Sequence, residues 1–171
     1  MNWNKTALFG MLIFSTVLSS CNGKYYNFRG ANIPDDVTTF SVSYFNNEAS
    51  LVNPSFSLDF TEKVKTKFQT ETQLGLKAEE GDYKIGGVIK NYSIAPAAIN
   101  VQTGAAQTQF TIIVNVEFEC VKYPEKNFTR DFTSSITFDA GTDFSSVESN
   151  LSNELSDIIV QQIFSAIALD W

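Results

Sequence analysis

Glu117 and Glu119 stand two positions apart in a segment where apolar and polar residues alternate. In a strand that spacing puts both carboxylates on one face, roughly 7 Å apart. Two acids at such a distance are what a glycosidase uses, one as acid and one as base or nucleophile. A solvated polar strand face uses the same residues, and no neighbour in sequence sets one acid apart from the other. Cys120 follows on the opposite, Phe118-bearing face without a basic neighbour, so it reads as a small buried apolar residue rather than a reactive thiol. The chain contains no His at all. That removes the usual general base near neutral pH and the commonest metal ligand, and with them Ser-His-Asp, Cys-His and His-metal sites. The run Asp139-Ala140-Gly141-Thr142-Asp143 has the acidic start of a calcium loop but neither its ligand ladder nor its closing Glu. It reads as a turn. There is no phosphate-cradling Gly loop and no nucleophile elbow, so the expectation is a non-enzyme with no cofactor and no metal.

Two binding features remain. Lys63, Lys65, Lys67, Lys84 and Lys90 are the one local excess of positive charge. Gathered on one side, Lys63, Lys67 and Lys90 would suit phosphate groups of an anionic lipid; on a solvated helix they would need no ligand. The stretch from Ala95 to Thr108 is apolar where a surface loop is normally polar. Ile94, Pro96, Ile99 and Val101 are therefore candidate partner-binding residues at an inserted tip, with a strand continuation packed on the domain as the other reading.

Cys21 offers chemistry of another kind. A short start carrying Lys5 runs into the apolar stretch from Ala7 to Leu18 and then into small residues, the pattern of a signal peptide. That stretch is shorter than the roughly 20 residues a spanning helix needs. Leu18-Ser19-Ser20-Cys21 has the order of a lipobox. Residues 1–20 are thus read as a signal peptide, 21–36 as a tether lipidated at Cys21 by acyl chains such as palmitate, and 37–171 as one domain. Acyl chains contribute about 0.8 kcal/mol per buried methylene, so several anchor a protein to a membrane without a spanning helix. Cys21 is then unavailable to Cys120, and stability must come from packing rather than a disulfide. The formal charge is -7, more negative still once Lys5 is removed, which excludes nucleic acid as a natural partner.

These residues need a scaffold, and the periodicities supply one. From Val37 to Phe45 the alternation predicts a strand with Phe40, Val42 and Tyr44 on one face. Asn46-Asn47-Glu48 is turn material. Phe56, Phe60, Val64 and Phe68 recur every four residues and predict a helix from Pro54 to Thr72, with Asn53 capping it. Leu74 and Leu76 suggest a short edge strand. Tyr83–Ile94 reads as a strand in which Gly86 and Gly87 imply a bulge or close packing, with a kink. Phe110 to Cys120 alternates most clearly and pairs, through the turn at Tyr123–Asn127, with Phe128–Phe138. Ser145 and Glu148 fit a capping box opening a helix to Leu169, whose stripe is Val147, Leu151, Leu155, Ile158, Ile159 and Ile163. The order β-α-β-β-β-α predicts an α+β fold: a four-stranded sheet with two helices packed on one face.

Several segments taken together resemble a known family: Phe28-Arg29-Gly30-Ala31-Asn32-Ile33-Pro34, Phe45-Asn46-Asn47-Glu48-Ala49, Pro124-Glu125-Lys126-Asn127-Phe128, Phe144-Ser145-Ser146-Val147-Glu148 and Asp170-Trp171. In order and spacing, and with the lipobox, they are similar to the LptE family of lipopolysaccharide-assembly lipoproteins, in its Bacteroidetes-type branch. The resemblance implies two helices against a four-stranded sheet. It also implies a non-catalytic plug inside the large outer-membrane barrel LptD, a pair that delivers lipopolysaccharide to the outer leaflet. The basic residues that touch lipopolysaccharide in other members have no clean counterpart here, so none is carried over. Asn22-Gly23-Lys24-Tyr25 lacks the acidic run of a surface-export tag, which by analogy implies an outer-membrane lipoprotein facing the periplasm and seated in the barrel lumen. The alternative is a stand-alone periplasmic lipoprotein whose ligand lies between sheet and helices.

Overall fold

The structure, a computed structural model, describes residues 32–51, 53, 55–98 and 104–169. The expected signal peptide, Cys21 and most of the tether lie outside these residues, as do Pro54, Ile99, Val101, Asp170 and Trp171. The elements in chain order are β1 (Thr39–Val42), β2 (Asn46–Asn47), α1 (Phe56–Glu71), β3 (Gly75–Leu76), β4 (Tyr83–Ala97), β5 (Gln107–Cys120), β6 (Phe128–Asp139) and α2 (Phe144–Ala168). A 3-10 turn at Pro124–Lys126 joins β5 to β6.

The α+β fold and the two helices are as expected, on a sheet of six strands rather than four. The two beyond the four are two-residue strands: β3, at the short edge strand that Leu74 and Leu76 suggested, and β2, where turn material was expected. Strand order is β3-β1-β4-β5-β6, with β2 also paired to β4. β4, β5 and β6 form the antiparallel meander, while β1 runs parallel to β4 and to β3.

α1 forms because its apolar residues fall on one stripe. Phe56, Phe60, Val64 and Phe68 are all buried, each contributing about 1.5–3 kcal/mol by leaving water. Their rings interlock with the sheet and the other helix: Phe60 meets Phe45 edge-on with centroids 5.1 Å apart, and Phe68 meets Phe164 of α2 at 5.3 Å. The helix begins two residues later than expected. Asn53 accepts from the Ser55 amide through Oδ1 at 3.2 Å, and the Phe56 amide bonds the Asn53 carbonyl, so the Asn closes a turn before the first helical residue.

Three sequence expectations are corrected. Tyr44 is 50% exposed, and Phe45 takes the core position instead; β1 ends at Val42, and the chain shifts its face before rejoining β4 as β2. Ser145 and Glu148 make no capping box: Asp143 caps α2 by accepting from the Ser145 amide, and Glu148 turns inward. Ile158 is 42% exposed, off the buried stripe of Leu155, Ile159 and Ile163.

The glycine pair in β4 is explained by close approach rather than by a bulge. Gly87 has φ of 146°, and a Cβ there would stand 2.0 Å from the Asn115 carbonyl oxygen. Pairing with β5 continues unbroken through both glycines; the irregularity comes later, between Ile89 and Asn91. That extra residue reverses the strand's parity. Before it, Tyr83, Ile85 and Ile89 are buried; after it, Tyr92 is.

Asp82 ties the start of β4 to β1. Its Oδ2 accepts from the Thr38 and Thr39 amides at 2.9 and 3.0 Å, and from both hydroxyls at 3.2 and 2.9 Å. These bonds, the amide of Thr38 foremost, hold the carboxyl far below the usual carboxylate range. The last residues of the expected tether belong to this end of the body. The Asn32 amide bonds the Ala168 carbonyl at the end of α2, and Ile33 packs on the core.

Candidate partner-binding surfaces

The register separates the sheet into two faces with different chemistry. On β5, Phe110, Ile112, Val114, Val116, Phe118 and Cys120 are buried beneath the helices. Their neighbours Thr111, Asn115, Glu117 and Glu119 look the other way, paired with Ser135, Asp131 and Thr129 of β6 and with Lys84 of β4. This open face is largely polar, with half-buried Val88 and Ile113 at its middle, and much of it is satisfied within itself. Lys90 Nζ meets Asp131 Oδ2 at 2.8 Å and Asn115 donates to Asp131 Oδ1 at 2.6 Å. The hydrogen bond from Lys90, then that from Asn115, lower the Asp131 carboxyl. Glu119 faces Lys84 at 3.7 Å. Glu117 and Glu119 therefore line a shallow polar depression over Gly86, beside Lys84 and Thr129. Among the described residues no cluster of acids, Cys and His is arranged to hold a metal ion.

The structure places the lysines on two sides of the molecule. Lys63 and Lys67 line a groove of about 650 Å³ between α1 and α2. Lys63 bonds Asp157 at 2.5 Å and Ser156 at 2.7 Å across that groove. Lys67 faces Glu71 at 3.6 Å and stands 5.2 Å from the centre of the Phe164 ring. Lys90 is instead on the open sheet face, held by Asp131. Lys63 and Lys67 are brought together; Lys90 is not with them.

Ile94 and Pro96 sit where β4 continues past the helices. They pair with Phe110 and Thr108, so they share the helix-bearing side of the sheet, yet both are exposed and Ile94 is 45% so. Residues 95–97 thus extend the strand, and with the start of β5 they form one arm of the meander, level with the end of β6, where Phe110, Phe138 and Phe144 cluster. Of the four apolar candidates, Ile94 and Pro96 are on this arm, while Ile99 and Val101 lie outside the described residues.

The arm and the chain entry occupy opposite ends. Residues 32–38 gather beside the β5–β6 turn, where Asp36 accepts from the Tyr123 hydroxyl at 3.0 Å and from Lys122 through its carbonyl. The hydrogen bond to Asp36 raises the Tyr123 phenol. β4 starts at that end and runs to Ala97, a span of roughly 45 Å at strand rise.

Sequence reading missed one network near the arm. Tyr92 Oη donates to Glu148 Oε1 at 2.7 Å, and Asn53 Nδ2 donates to the same oxygen at 2.8 Å. Burial, together with the bond to Glu148, pushes the Tyr92 phenol up to about 12. The network pins the starts of both helices to β4. The signal was the parity break between Ile89 and Tyr92.

Fold and surfaces together define a class: a two-layer α+β body with a ring-filled core, a largely polar sheet face and an apolar arm. The family model for LptE, lipopolysaccharide-assembly, matches residues 37–167. The chain belongs to the LptE family.

Solved structures agree on the fold. A minor lipoprotein from Acinetobacter baumannii is 14% identical, with a TM-score of 0.51, over 77% of this chain and 92% of its own. A putative neuraminyllactose-binding hemagglutinin homolog from Helicobacter pylori is 10% identical, with a TM-score of 0.53, over 84% and 90%. No curated protein matches the chain. None of the helices among the described residues is long and apolar enough to cross a membrane.

Proposed function

We propose that this protein is a non-catalytic lipoprotein of the outer membrane, anchored through Cys21, that fits inside an LptD-like barrel and assists lipopolysaccharide assembly there. The observation that carries the reading is the family match across residues 37–167. The geometry supports it. A body lodged in a polar lumen must present hydrophilic side chains while keeping its own core dry, and the open face of β4, β5 and β6 offers Thr, Ser, Asn and paired charges. With the chain entering at one end, a lipid on Cys21 would hold that end near the membrane, leaving the Ile94–Pro96 arm to reach the far side of the partner.

A stand-alone ligand-binding role would need space between helices and sheet. That layer is occupied by Phe40, Phe45, Phe60, Phe68 and Tyr92, each fully buried. Affinity purification of the intact lipoprotein in mild detergent tests the proposal. A large outer-membrane barrel recovered in near-equal amount is the expected result. Recovery of the chain alone, under conditions that keep other envelope complexes together, would overturn it.

A further inference from the structure

The chain enters the body at a fixed point. The Asn32 amide bonds the Ala168 carbonyl, Ile33 packs on the core, and Asp36 accepts from Lys122 and Tyr123. Position 32 therefore lies beside the last turn of α2, close to the β5–β6 turn. Eleven residue steps separate it from Cys21. They reach at most roughly 40 Å, and about 18 Å as a flexible coil. β4 alone runs roughly 45 Å from this end to the arm. A lipid on Cys21 thus brings the entry end to the leaflet and leaves the arm pointing away.

The residues of that end suit a layer of lipid head groups. From Cys21 to Pro34 the chain has Lys24 and Arg29 and no acid, in a protein whose formal charge is -7. The same stretch holds Tyr25, Tyr26 and Phe28. On the body, Val121 of the β5–β6 turn and Leu169 after α2 are exposed, and Trp171 stands two positions further on. The turn adds Lys122 and Lys126 against Glu125. Two acids of this end are already engaged: Asp36 accepts from the Tyr123 hydroxyl, and Asp82 from the amides and hydroxyls of Thr38 and Thr39. Amphipathic rings and basic side chains beside exposed apolar ones settle at the boundary between phosphate head groups and acyl chains.

We infer that the entry end is a membrane seat: Lys24 and Arg29 meet the head groups of an anionic leaflet, while Val121, Leu169 and Trp171 enter the boundary beneath them. The inference rests on the lipidated Cys21 of the reading above and not on the barrel. For a body lodged in a lumen, the seat lies at the periplasmic mouth, where head groups ring the wall.

Trp171 is a native probe, because Trp3 leaves with the signal peptide and the chain has no other Trp. The full lipoprotein, purified in mild detergent, is placed in vesicles of phosphatidylcholine and phosphatidylglycerol whose acyl chains do or do not carry bromine, a quencher of Trp emission. Brominated chains should remove more than about half of the Trp171 emission. A second chain, with Trp171→Phe and Ile94→Trp, reads the arm and should lose less than about a tenth. Replacing Lys24→Gln and Arg29→Gln together should at least about halve the Trp171 quenching while the chain stays in the vesicles. Trp171 left unquenched, or equal quenching at both positions, would overturn the seat. Because these vesicles hold no barrel, the two readings fail separately. Trp171 quenched with no barrel recovered in affinity purification supports the seat and sinks the lumen reading; a barrel recovered with Trp171 unquenched does the reverse. A chain that stays out of the vesicles lacks the lipid on Cys21, and the seat falls with it.

Discussion

Replacing Asp82 with Ala removes the acceptor that organises the start of β1. Four hydrogen bonds converge on its Oδ2, and Lys122 stands 3.5 Å from Oδ1. Hydrogen bonds to a charged group contribute about 1.5–3 kcal/mol each when water does not replace them. Thr38 is exposed, so water takes over its two; Thr39 is half-buried, and its amide and hydroxyl lose more. The expected loss is about 2–4 kcal/mol at pH 7, or about 8–15 °C in midpoint for a domain of this size. The pH dependence gives a second signature. Because the folded carboxyl lies below its ordinary value, its stabilisation is complete above the unfolded value near 4 and is lost as pH falls through the folded one. Thermal unfolding followed by circular dichroism at pH 7, 4 and 2 should show the gap between native protein and Asp82→Ala shrink by more than about half at pH 2. A gap below about 0.5 kcal/mol at pH 7, or one equally large at pH 2, would refute the assignment.

Three further outcomes follow from the packing. Gly87→Ala forces a Cβ into the Asn115 carbonyl at a φ that L-residues rarely adopt, and should cost more than about 3 kcal/mol in urea unfolding. Tyr92→Phe leaves Glu148 with Asn53 alone and should cost about 1–2 kcal/mol at pH 7. The native phenol, raised in the folded state, favours folding fully below pH 10 and loses that advantage as pH rises through about 12. The variant should therefore show a flatter alkaline limb in a pH series. Ile94→Asp should leave the unfolding midpoint unchanged, because the side chain is already exposed, while reducing barrel recovery in pull-downs by about tenfold, as loss of an apolar interface anchor does.

Periodicity carried most of the architecture because both helices and the meander bury a single face. Phe56, Phe60, Val64 and Phe68 announce α1, and the six alternating residues from Phe110 to Cys120 announce β5. Local pattern fails where tertiary pairing decides. β2 is a strand because β4 offers Asn46 and Asn47 a partner, and two residues of turn material cannot show a period. Tyr44 follows the alternation of Phe40 and Val42, yet the chain turns over before it and gives the core position to Phe45. Ser145 and Glu148 satisfy a capping motif in spacing, but Tyr92 and Asn53 claim the Glu148 carboxylate from 56 and 95 residues away. The same limit applies to the surfaces. Lys63, Lys67 and Lys90 look alike in the sequence, and the sheet separates them. Ile94 and Pro96 were recognisable as apolar where a loop should be polar; their place at the end opposite the chain entry needed the register of β4 on β5.

The central claim concerns lipopolysaccharide assembly, and depletion of the protein tests it most directly. Lipopolysaccharide on the intact cell surface should be quantified with an impermeant label before and after depletion, alongside the total extracted from the envelope. A several-fold loss from the surface with the total maintained is the predicted result. Surface lipopolysaccharide that stays at its starting level after the protein has gone would contradict the account.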